Sequence, residues 1–184
     1  MLPRYDSHVK TAGFRPIGRQ KGFPDDAMTI SKRIDALGLT IPTPPEPLAS
    51  YIPALTVPTE PPQLWIAGQV PLRDGAPVAT GWLGESVDMD TAQVCARQCT
   101  LNALAAAAGE LDGDLDRIDR VLKLACYVAA TPDFTDHPRI ANGASDLIAD
   151  IFGDAGRHVR AAVGVSSLPL GVPVEIEFVF QMRG

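Results

Sequence analysis

HVRAAVGVSSLPLGVPVEIEFVFQMRG, residues 158–184, decides the fold. Two alternating apolar runs, about 159–168 and 172–181, flank Pro169, Leu170 and Gly171, and so read as two strands around a turn. The first run contains Arg160 and the second contains Glu175 and Glu177. Charged groups in strands otherwise built of Val, Ile, Ala and Phe either face solvent or form a site. Alternation puts Arg160, Ala162, Gly164 and Ser166 on one face and Val159, Ala161, Val163 and Val165 on the other. Ala162 and Gly164 leave free volume beside a guanidinium, which suits a planar carboxylate. A solvated arginine or an intersubunit ion pair is the alternative. Glu175 and Glu177 point away from Val174, Ile176, Phe178 and Phe180. One of them can orient or deprotonate a water, and the other can pair with Arg160 or Lys123. The alternative is a polar strand face with intersubunit pairs.

Upstream, residues 120–129 read as a central strand with Leu122, Leu124, Cys126 and Val128 on one face and Lys123, Ala125 and Tyr127 on the other. Residues 138–152 read as a long helix, with Gly143 a weak spot and Gly153 its stop. Asp88 or Asp90 caps an earlier long helix running to about Ala108. Val94, Leu101, Leu104 and Ala108 line its apolar face, and Gly109 ends it. LWIAGQVPL (64–72) is a strand, Asp74-Gly75 a hairpin turn, and a second strand follows at about 77–82. TISKRIDALGL (29–39) is a short helix, capped by Thr29 or Ser31 and ended by Gly38. IPTPPEPLASYIPAL (41–55) holds too much proline for a helix interior or a central strand and is expected to wrap the domain in extended form. Eleven of the 17 prolines precede Leu64, so the core largely begins there. Residues 1–27 are weakly patterned, either a flexible extension or a sign that translation starts at Met28; residues 28–184 form a single domain.

The element order is β-β-α-β-α-β-β. It predicts an α+β domain whose mixed four- or five-stranded sheet carries two helices on one face. The other face is partly apolar, which calls for cover by another subunit.

The 184 residues are 46% hydrophobic, with a formal net charge of -6 and a pI near 5.0. That acidity, with no basic tract, argues against a nucleic-acid surface. No secretory leader or membrane-spanning stretch is visible, and Cys95, Cys99 and Cys126 make no disulfide framework, so a cytoplasmic setting is expected. The cysteines read as buried small hydrophobes, and Trp65 and Trp82 as packing aromatics. His8, His137 and His158 do not complete a zinc set, and neither GxGxxG nor GK[ST] occurs. No cofactor or metal is expected. His158 lies near the anionic site or is an edge-strand residue.

GQVPL (68–72), the Asp-Gly hairpin, the alanine-rich helix and above all RAAVGVSSLPLGVPVEIE (160–177) resemble the YjgF/RidA family, also called the endoribonuclease L-PSP or reactive-intermediate-deaminase family. The resemblance covers about residues 50–180. NGASDLIADIFGDAGRHVRAAVG (142–164) is similar to one poorly characterised L-PSP-like subgroup. The resemblance implies a chorismate-mutase-like fold, a homotrimer with three clefts between subunits, and cofactor-free hydrolysis (deamination) of small enamine or imine acids. It implies that Arg160 holds the substrate carboxylate, that Glu175 is associated with water, and that Tyr51 from a neighbouring subunit closes the cleft. Ser145 falls on the family's helix asparagine, with Asn142 one turn away, and Gly68 and Ala162 fall on cleft positions. Ala162 stands where the family carries a cysteine, and Ala67 where it carries a serine. Those two departures keep a second function open, a non-enzymatic module binding small carboxylates such as 2-oxo acids. An endoribonuclease is a weaker third.

Overall fold

Residues 28–44 and 49–184 are described by a computed structural model. The alternatives for residues 1–27 lie outside the described residues. Thr29 caps the first helix, α1 (Ile30–Ala36), its hydroxyl accepting from the Lys32 N–H, and Gly38 leaves it at φ 64°. Ile30 and Ile34 are its buried residues of apolar type, and α1 rests on a later helix through them.

The proline-rich segment supplies a strand that the sequence reading did not expect, β1 (Ala54–Val57). Pro53 and Pro58 bound it rather than interrupt it, and it lies at a sheet edge, where the ladder tolerates neighbouring prolines. The outward Thr56 N–H is taken up by the Glu110 carboxylate at 3.1 Å. β2 (Gln63–Gln69) follows, then a hairpin of only two residues per arm, β3 (Leu72–Arg73) and β4 (Ala76–Pro77). Asp74 and Gly75 turn it with φ 52° and 79°, the left-handed pair an Asp-Gly turn provides. The strand expected at 77–82 stops at Pro77, and this hairpin stays outside the main sheet. Its tie to the helices is polar. Arg73 Nε donates to Gln98, Gln98 to Asn102, and Asn102 to the carbonyls of Val70 and Leu72.

Asp88 caps α2 (Met89–Glu110) through a 2.7 Å bond from the Thr91 N–H. The helix runs past Gly109, because Leu111 closes it and the left-handed turn falls at Asp112 and Gly113. Its buried face is Ala92, Cys95, Ala96, Cys99, Ala103 and Ala107 together with Leu104, whereas Val94 is 44% exposed. Small residues let α2 lie close to the sheet. A 3-10 turn (Leu115–Arg117) leads into β5 (Ile118–Ala129). Its register slips between Val121 and Lys123. Leu122 is the extra residue of that bulge, so Val121 faces the core in its place.

α3 (His137–Phe152) ends at Gly153, φ 61°. Gly143 is no weak spot. A Cβ there would stand 2.5 Å from the Gln93 carbonyl oxygen, so the glycine lets α3 cross directly on the α2 backbone. β6 (Val159–Val165) pairs parallel with β5, and β7 (Val174–Met182) pairs antiparallel with β5 and β2.

The sheet order is β1-β2-β7-β5-β6. Thus β6 and β7, adjacent in sequence, have β5 between them. Leu64, Ile66, Leu124, Cys126, Val128, Ile176, Phe178 and Phe180 form the buried side, covered by α2 and α3. The opposite side exposes Leu55, Trp65, Val159 and Val163, the last two at 70% and 46%.

Candidate functional site

Arg160 lies opposite Leu124 in the parallel ladder, and Leu124 is wholly buried beneath the helices. Arg160 therefore leaves edge strand β6 on the helix side and meets the first turns of α3. Its Nη1 donates to Asn142 Oδ1 at 2.9 Å and to Ser145 Oγ at 3.0 Å, and its Nη2 donates to the Pro138 carbonyl at 3.2 Å. Positions 138, 142 and 145 recur at helical spacing and share a face. A guanidinium has five donors. Among the described residues three are engaged, all by uncharged acceptors, while the Asp146 carboxylate on α3 acts on the charge without a hydrogen bond. The Nε–H and one Nη2–H remain, on adjacent nitrogens that can take both oxygens of a carboxylate.

His158, two residues before Arg160, shares its strand face. The ring is half-buried. Nδ1 lies 2.6 Å from the Gly156 carbonyl and Nε2 lies 3.0 Å from Ser145 Oγ. Burial lowers its pKa below the ordinary 6.5, opposed by the Gly156 bond and reinforced by the nearby Arg160 charge. On α3, Asp146 is raised by burial and by Asp150, with Arg160 and Arg97 pulling the other way. Ala162 packs partly buried against the core. Gly164 passes so close to the start of α3 that a Cβ would stand 2.6 Å from His137 Nε2.

A second group occupies the other side of the sheet. Glu175 pairs in register with Tyr127, and Glu177 with Ala125. The Tyr127 hydroxyl donates to Glu177 Oε1 at 3.0 Å, so Glu177 is held by a phenol rather than by Arg160 or Lys123. Gly68 lies in the stretch where β2 slips register against β7, and a Cβ on it would collide with the Glu175 carboxylate. The loss of one side chain thus makes room for the other. Burial raises the Glu175 pKa, and Glu177 adds to it. Tyr127 is raised by burial and then by its bond to Glu177.

Arg160, Asn142, Ser145 and Ala162 are therefore brought together, and so are Gly68 and Glu175, but the two groups are separate within one chain. They lie on opposite sheet faces, two strand spacings and three residues apart, roughly 14 Å. Tyr51 is exposed just ahead of β1, at the opposite sheet edge and four strand spacings away, about 19 Å.

The three cysteines are buried and free. Burial pushes Cys95 up to about 11 and Cys126 to about 12, each against an arginine that lowers it, and raises Cys99 as well. None is an activated thiolate. Among the described residues no three His, Cys, Asp or Glu side chains stand together as a metal set, and no helix is long and apolar enough to cross a membrane.

The same architecture occurs in the protein Atu1372 of Agrobacterium tumefaciens. That crystal structure has a TM-score of 0.75 and 39% identity, covering 84% of this chain and 94% of that one. A protein of Shewanella oneidensis MR-1, described as a putative endoribonuclease, has a TM-score of 0.78 and 30% identity, covering 84% and 100%. Protein TCP17 of Trypanosoma cruzi is 38% identical over 155 residues, 84% of this chain and 94% of that one. The mixed sheet under two helices is thus that of a known α+β class. The chain belongs to the YjgF/chorismate mutase-like, putative endoribonuclease family, whose model matches residues 31–180.

Proposed function

We propose that the protein hydrolyses small imine or enamine carboxylic acids without a cofactor, with Arg160 as the carboxylate anchor. The observation that carries this reading is the state of the guanidinium. Three uncharged acceptors fix its orientation and two donors remain for a ligand; the free volume expected beside Gly164 is instead taken by His137 at the start of α3. A preoriented fork loses little entropy on binding, and holding a reactive imine beside water supplies much of what its hydrolysis needs.

The cleft is completed by neighbouring subunits. A homotrimer, the assembly expected of this family, would place the Tyr51 edge of one subunit near the β6 edge of the next. Tyr51 would then close the cleft, and Glu175 of a neighbouring subunit would give water a second polar hold. The exposed apolar stripe Val159, Ala161 and Val163 supports such an assembly.

A second reading is supported by Ala162 and Ala67, which remove a thiol and a hydroxyl from the cleft positions. It is a module that binds small carboxylates such as 2-oxo acids without turnover. RNA cleavage is weaker, since the net charge is -6 and the open sheet face carries Glu175 and Glu177.

The test is hydrolysis of 2-imino acids by wild type beside Arg160→Ala, over a panel of amino-acid precursors. Enhancement over the spontaneous rate that falls at least tenfold in the variant is the expected result. Saturable 2-oxo acid binding with no enhancement anywhere in the panel would move the protein to the second reading.

A further inference from the structure

We propose that His137 is the specificity-determining wall of the Arg160 site: its ring closes the strand face beyond Ala162, so the acid held by Arg160 is one with a short side chain. This rests on the reading of Arg160 as a carboxylate anchor given above, and it names the class of acid the anchor accepts.

The direction in which a ligand leaves the guanidinium follows from its bonds. α3 joins two parallel strands, β5 and β6, and so runs back along β6. Two contacts fix that alignment. Ser145, late in α3, bonds His158 at the start of β6, and His137, the first residue of α3, lies over Gly164 near the end of β6. Between them Arg160 gives Nη1 to Asn142 and Ser145 and gives Nη2 to the Pro138 carbonyl. Nη2 is therefore the end of the group nearer the start of α3. The free edge consists of Nε and Nη2, so it faces along β6 toward Ala162 and His137, away from Ser145 and His158. A carboxylate on that edge sits over Ala162, whose side chain is a single methyl.

His137 then stands across the way forward. Arg160 and Gly164 are four strand residues apart, about 13 Å. The guanidinium takes the first part of that span and the imidazole the last. No passage runs beneath the ring, because a Cβ on Gly164 would already stand 2.6 Å from Nε2 and 3.2 Å from Cε1. What remains over Ala162 holds a carboxylate and a small group.

The wall is held firmly. Its ring packs edge-on against Phe134, with centroids 5.3 Å apart and planes at 80°, and Phe134 packs against the core. Its backbone begins a helix of 16 residues, followed by Pro138 with its restricted φ. A side chain fixed on a regular element excludes longer ligands more sharply than one on a loop, since it has little room to yield. The class selected is that of 2-imino or 2-oxo acids of alanine size, ahead of those with branched or aromatic side chains.

The experiment measures kcat/KM of the full chain on imines generated in situ by an amino-acid oxidase from alanine, leucine and phenylalanine. It compares wild type, His137→Ala and His137→Phe. Wild type is expected to prefer the alanine-derived imine. His137→Ala is expected to raise the leucine-to-alanine and phenylalanine-to-alanine ratios at least about tenfold. His137→Phe keeps the ring volume without the nitrogens and is expected to keep the wild-type ratios. Should His137→Ala not fold, as read by far-UV circular dichroism, His137→Asn decides by the same ratios. Unchanged ratios in the smaller variant, or relaxed ratios in His137→Phe, overturn the wall and leave the hydrolase standing. Wild type with no rate above the spontaneous one removes the hydrolase reading. The wall is then decided by calorimetric binding of pyruvate against 4-methyl-2-oxopentanoate, where the same tenfold change in the ratio of Kd values supports it. Binding of neither acid overturns the anchor and the wall together.

Discussion

Gly143 marks the closest approach of the two long helices, its Cα hydrogens facing the Gln93 carbonyl. Gly143→Ala is expected to destabilise by about 1–3 kcal/mol, although alanine is the better helix former, because overpacking against backbone outweighs propensity. Denaturant unfolding measures it. Glu175 gives a pH-dependent counterpart. Burial holds its folded pKa above the ordinary 4.5. Its contribution to stability is therefore present below pH 4.5 and lost as pH rises through the folded value. Glu175→Gln should melt above wild type at pH 7.5, and the gap should close near pH 4. A gap of constant size would show that hydrogen bonding, not charge, is what burial penalises there. At this scale Arg160 was legible in the sequence, because a charge in an alternating apolar strand has few explanations. The partnership of His158 was not. The alternation that put Arg160 on its face puts His158 there too, but the Gly156 carbonyl and Ser145 that give the ring a direction come from a turn and a helix.

Periodicity located both long helices and the last strands to within a few residues, since each hides one face. It failed where a single residue changes phase. The bulge at Leu122 moves the core face to Val121, and no composition signal marks it. The larger side chains of α2 point to one face, yet alanine and cysteine form the buried one, because closeness to the sheet favours small volume there. β1 was hidden by prolines that bound a strand as readily as they break one. The exposed edge carries the prediction that belongs here. Val163→Lys introduces a charge into the apolar stripe of β6, where Val163 is 46% exposed. The expected outcome is loss of subunit association in sedimentation, with far-UV circular dichroism unchanged. Unaltered sedimentation would mean that β6 faces solvent in the assembly.

Across the whole molecule, one sheet separates two chemistries. The helix side holds a cation with neutral partners, and the open side holds two carboxylates and a phenol. Arg160 lies on the β6 edge and Tyr51 just ahead of the β1 edge, and the cleft proposed between subunits would draw on both. A contact joining two different edges repeats head to tail, and such a contact makes a ring when its rotation closes. Activity would then depend on protein concentration wherever the ring comes apart. Arg160→Ala subunits mixed with Tyr51→Ala subunits should recover turnover at the mixed interfaces that contain neither change.

The close crossing at Gly143 also bears on how the site can change over generations. Asn142 and Ser145 stand on either side of a backbone pinned to its neighbour helix. Substitutions at those two positions can alter the grip on Arg160 without shifting the helix that carries them. A lineage could therefore trade one ligand for another by single replacements on a fixed rail, and a randomised library at these two codons should yield many folded proteins that differ mainly in what they hold.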